Sequence, residues 1–180
     1  MTDWGDRVRK LLLIWGITGV LVMLVGALYR LSPIAWVPIS DGSLTTFHWV
    51  VIVLWSAFNA HAEGYKGFQQ RFSPRTVARA VYLGEHPTPL RVILAPLFCM
   101  GFFDATKRVL IAAWGVLFAV LVLVAIIRSL DQPWRGIIDV GVVIGLGWGT
   151  VSLFVFFIGA LFGRPPNFDP GVANPVDPTP

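Results

Sequence analysis

The stretch VLIAAWGVLFAVLVLVAII, Val109–Ile127, decides the fold: nineteen consecutive residues carry no charged or amide side chain. A helix needs about 20 apolar residues to cross a hydrocarbon core of roughly 30 Å. Backbone groups in lipid must bond within the segment, so such a run is helical. Two more runs of this kind, Leu11–Tyr29 and Ile137–Phe162, stand on either side of it, and a shorter one covers Phe47–Ala62. None shows the polar alternation of a membrane β-barrel. The 180 residues are 56% hydrophobic and 13% charged, with a mean hydropathy of +0.71. A water-soluble chain of this length would need more charge on its surface. The sequence therefore predicts an all-α integral membrane protein, one domain over 1–163 with transmembrane helices at about 11–30, 46–62, 109–128 and 137–163.

Composition excludes several classes of function. The net charge is +4 and the pI about 9.7, but the basic residues flank apolar segments and form no stripe for nucleic acid. Cys99 is the only cysteine, so no intrachain disulfide or cysteine metal cluster can form, and its apolar neighbours mark it as a small buried hydrophobe. His48 and His61 lie about 140° apart on a helix, which argues against a shared metal or haem. No phosphate-binding glycine loop or serine-hydrolase elbow occurs, and no cofactor is expected. The first apolar run is too long for a secretory leader and lacks an A-x-A site, so it reads as an uncleaved helix.

Between the long runs the chain changes character. Pro33, Pro38 and Asp41-Gly42 predict a loop over 31–46. Residues 63–108 form a polar hinge. Within it, Ser73-Pro74 predicts a helix start and Gly84 its end. This gives a short basic amphipathic helix with Arg75 and Arg79 four apart and Val77 and Val81 on its apolar side. Val92–Phe103 holds twelve residues with Pro96, roughly 18 Å as a helix, and reads as a short re-entrant or interfacial apolar helix. The proline-rich tail 164–180 is expected to be disordered. Four crossings put eleven Lys and Arg on the side of both termini, against Arg30, Arg128 and Arg135 opposite. The positive-inside rule then makes both termini cytoplasmic, in an inner membrane.

The candidate site is the end of the second helix and its extension. Asn59, Glu63, Lys66 and Gln70 recur at helical spacing and would form one polar face, with His61 off that stripe. Tyr65 adds a phenol, and Arg71, Arg75 and Arg79 ring the segment. The pattern suits binding of an anionic lipid headgroup or a membrane protein partner at the cytoplasmic interface. Ordinary boundary residues obeying the positive-inside rule would look the same. The expected function is that of a small polytopic membrane protein with a binding or accessory role. Two alternatives stay open: an oligomeric transporter or channel subunit, and a lipid-active enzyme using His61, Glu63 and Tyr65. Asp139 stands in the first turn of its helix, four residues from Arg135, and suits a salt bridge. Gly141, Gly145 and Gly149 form a small-residue ridge, which seats either another helix of the chain or a second copy in a homo-oligomer.

Overall fold

Helices supply every regular element in the computed structural model, which describes residues 2–173. Three of them are long and apolar enough to cross a membrane: Gly5–Ser40 within α1 (Thr2–Ser40), α6 (Lys107–Arg128) and α7 (Trp134–Leu161). Helix α1 absorbs residues 31–40, where Pro33 and Pro38 predict a loop. A proline inside a helix loses one hydrogen bond and crowds the carbonyl a turn back. Unwinding in apolar surroundings would leave more backbone groups unpaired than the proline does, so the helix continues. The Ser32 hydroxyl donates to Leu28 O at 2.7 Å. Pro38 is seated on Gly136, where a Cβ would stand 2.5 Å from its ring.

The second apolar run becomes a rod. Helix α2 (Thr46–Asn59), a π-helical segment (Ala60–Phe72) and α3 (Ser73–Glu85) follow one another without a break. The rod starts at a capping box: Thr45 Oγ1 accepts from the His48 amide, and His48 Nδ1 accepts from the Thr45 amide. Ser73, expected as an N-cap, is an interior helical residue with φ −60° and ψ −50°. Its amide donates to Phe68 O, five residues back. Pro74 suits the last turn of this winding. It has no N–H to give, and its ring needs the space that i→i+5 winding leaves at the preceding turn. Helix α3 is also more buried than an amphipathic surface helix, because Ser73, Thr76 and Arg79 are buried along with Val77, Ala80 and Leu83.

The rod lies along α7, both running the same way, while α1 packs against them in the opposite sense. The contact order fixes this: Trp55 Nε1 donates to Ile138 O at 3.1 Å, Gly64 meets Trp148, Phe68 covers Gly149, and Gly84 touches the Arg9 backbone. Two short helices, α4 (Pro89–Ile93) and α5 (Ala95–Met100), span roughly 9 Å at most, too little to cross. Helix α5 presses on α1 at Gly16 and Gly19, where a Cβ would strike Cys99 Sγ and the Pro96 ring. Gly26, seven residues on, faces open space, so the close approach uses Gly16 and Gly19. The core joins Ile17, Val20, Val77, Leu83, Phe98 and Leu153. Helix α6 stands apart, with 6% of its apolar window buried.

In the tail, expected to be disordered, Gly171 O accepts from the Thr106 amide at 2.8 Å, and Pro170 and Gly171 meet Arg79. Positions 174–180 lie outside the described residues.

Candidate functional site

The π winding regroups the expected polar face. With i→i+5 bonds a turn takes more than four residues, so residues four and five apart share a side. His61, Tyr65, Lys66, Gln70 and Arg71 are all exposed, and they form the outward crest of the rod. His61, expected off the stripe, joins it: its ring stacks on Tyr65 at 6.0 Å between centroids. Asn59 leaves the stripe. It is 1% exposed, and its Nδ2 donates to Trp55 O at 2.8 Å. Glu63 lies on another flank, its Oε2 3.0 Å from the Cβ that Gly145 lacks. His61, Glu63 and Tyr65 therefore do not converge as a catalytic trio.

Gly64 and Phe68 pack on Trp148 and Gly149, the middle of the 28-residue α7. At 1.5 Å per residue α7 is roughly 42 Å long, so the crest stands about half-way along it. Beside the crest runs an open groove of about 380 Å³ lined by Ala57, Ala60, His61, Tyr65, Gln69 and Trp148. Trp148 Nε1 donates to Gln69 Oε1 at 2.8 Å and ties the groove wall to the rod. Sequence reasoning missed Gln69 and Trp148. Their only signal was an indole in the middle of a glycine-rich apolar run.

Arg75 and Arg79 belong elsewhere. Arg79 has no exposed surface. Its Nε donates to Phe98 O at 2.6 Å, Nη1 to Pro170 O and Gly171 O at 3.0 and 3.3 Å, and Nη2 to Phe103 O and Asp104 O at 3.0 and 3.1 Å. A guanidinium has five N–H donors, and all five are used. The ring of Phe98 lies 4.2 Å beneath it. No donor is left for a headgroup, which removes Arg79 from the binding set. Arg75 lies over the Phe168 ring at 5.6 Å. Arg91 completes this hub, bonding through its guanidinium to the Asp104 carboxylate and to His86 O at 3.1 Å. Asp104 takes φ +49° to make the turn.

The glycine ridge is occupied by the chain itself. A Cβ at Gly141 would strike Trp55, and at Gly149 the Phe68 ring. The expected small-residue ridge of Gly141, Gly145 and Gly149 thus seats the rod of the same chain. Asp139 is buried near the start of α7 with Arg135 as its neighbouring charge. Among the described residues no cluster of three His, Cys, Asp or Glu side chains is arranged to hold a metal. Compared with protein-family models, curated proteins and solved structures, the chain matches none of them.

Proposed function

We propose that this chain is a polytopic membrane protein that acts by binding a protein partner inside the bilayer, through the crest of the π segment. The observation that carries the reading is the exposure of His61, Tyr65, Lys66, Gln70 and Arg71 at mid-length of α7. A charged side chain at the bilayer centre costs about 2.5–3.5 kcal/mol or more when it faces lipid. A surface that keeps the Lys66 cation there is stabilised when protein covers it. Anionic headgroups lie roughly 15 Å from the centre of a core about 30 Å thick, out of reach of Lys66.

The rod supplies the fourth crossing in this reading. It travels the length of α7, from Trp55 beside Ile138 to α3, whose Gly84 meets Arg9. Both termini then share the Lys- and Arg-rich face, the cytoplasmic side of an inner membrane. The test uses a photo-crosslinking residue in the full chain, expressed in its own membrane. Placed at Tyr65 or Gln70 it should give one discrete protein adduct, and placed at Leu121 on α6 only lipid adducts. Lipid adducts alone at all three positions would reject the reading.

A further inference from the structure

The chemistry of the crest specifies its partner, an inference that rests on the protein-binding reading above. His61, Lys66 and Arg71 follow one another at five-residue steps along the outward side, with Tyr65 and Gln70 between them. Glu63, the carboxylate nearest in sequence, is also exposed, but its Oε2 lies against Gly145 and it forms no ion pair with Lys66. The side chains of Lys66 and Arg71 make no hydrogen bond or ion pair with the described residues. The crest is therefore a cationic line without internal neutralisation. Arg71 can extend toward the bilayer surface, but Lys66 sits too deep for its stem to reach water.

Beside that line the groove offers small side chains, Ala57 and Ala60, with Trp148 as its wall. Small residues let another helix approach closely where lipid gives no hydrophobic drive. The Gln69 carbonyl oxygen is taken by Trp148, which leaves its NH₂ to donate outward. A second copy of this chain is a poor occupant. Parallel copies related by a two-fold axis along the membrane normal would bring Lys66 against Lys66 at one depth. An opposite charge at that depth is what the crest lacks.

We propose that the crest and groove bind a membrane-spanning helix of another protein that carries an aspartate or glutamate at mid-bilayer, paired with Lys66. The pair would be charge-assisted and shielded from water, with Gln69 and Tyr65 as further donors.

The experiment places the full-length protein in phosphatidylcholine vesicles at pH 8. Labelled single-span Leu/Ala peptides with one central Glu or one central Gln are added at dilutions where each is monomeric. Energy transfer reports association, and a photo-crosslinker at Tyr65 reports where it occurs. The Glu peptide should bind at least about tenfold more tightly than the Gln peptide, a difference of roughly 1.4 kcal/mol. Lys66→Met should erase the preference, Lys66→Arg should keep it, and Arg108→Gln, at the start of α6, should leave it unchanged. Equal binding of both peptides with crosslinking at Tyr65 would overturn the carboxylate partner and leave the protein-binding surface standing. Absence of crosslinking at Tyr65 would remove both. A preference that survives Lys66→Met would also overturn the pairing, as would self-crosslinking between two copies through Tyr65.

Discussion

Arg79 directs every donor at backbone oxygens from three separate stretches: α5, the turn before α6, and the tail. Lysine has three donors radiating from one atom and cannot reproduce the planar fork. Arg79→Lys and Arg79→Gln should each cost about 3–5 kcal/mol of unfolding free energy, as removing a buried charged partner does. Arg71→Gln, on the exposed crest, should stay within about 0.5 kcal/mol. Denaturant titration in detergent separates the two, and similar costs would contradict the assigned roles. Cys99 gives a pH test. Burial pushes its thiol from 9 up to about 12, so the folded protein holds it protonated and loses stability only as pH climbs past the unfolded value. Maleimide should leave Cys99 unmodified between pH 7 and 9 and label it fully after unfolding. Rapid labelling of folded protein at pH 8 would show the site to be open. The burial of Cys99 was legible from the aromatic residues around it. The burial of Arg79 was not, because its carbonyl partners lie up to 92 residues away and share no sequence pattern.

At the scale of elements, two neighbouring glycines of α7 should behave oppositely. Gly149 lies under the Phe68 ring, whereas nothing stands within 4 Å of a Cβ at Gly147. Gly149→Ala should destabilise by about 1–3 kcal/mol through overpacking. Gly147→Ala should be neutral or gain up to about 1 kcal/mol from helix propensity. Thermal unfolding of the two variants decides it, and a matching loss at both would mean that the ridge does not seat the rod. The spacing of Gly141, Gly145 and Gly149 announced such a seat, since small residues every four positions must face something close. What the sequence withheld was the winding of the partner. Read with 3.6 residues per turn, Asn59, Glu63, Lys66 and Gln70 line up; with i→i+5 bonds the line breaks, and His61, Lys66 and Arg71 take its place. Pro74 stands in the first turn of α3, as its position after Ser73 predicts, but α3 continues the π segment without a break.

Across the whole molecule, the stretch Arg164–Ala173 closes the end of the bundle that holds the N-terminus. It runs back from α7 to the start of α6, where Gly171 O accepts from the Thr106 amide and its φ of +59° turns the chain. An Asp169 Oδ1 bond to the Gly171 amide, 2.8 Å, shapes that turn. Helix α6 has few other restraints. Its apolar length is almost unpacked, and its N-terminal end is held by this strap, by Val109 against Gly101 and by Trp114 donating to Phe102 O. Losing the strap should therefore loosen α6 more than the α1–α7 pair. Gly171→Ala serves as the mild version, since φ near +59° costs an L-residue about 1–2 kcal/mol and the new Cβ would meet Val109 Cγ2 at 2.7 Å. Amide hydrogen exchange reads the outcome residue by residue. Thr106 should exchange at least about tenfold faster in the variant, because its acceptor is displaced, while amides in the middle of α7 keep their protection. Unchanged protection at Thr106 would mean that the Pro170–Gly171 contacts do not restrain α6. Equal loss along α7 would mean that the strap holds the whole bundle and not one end of it.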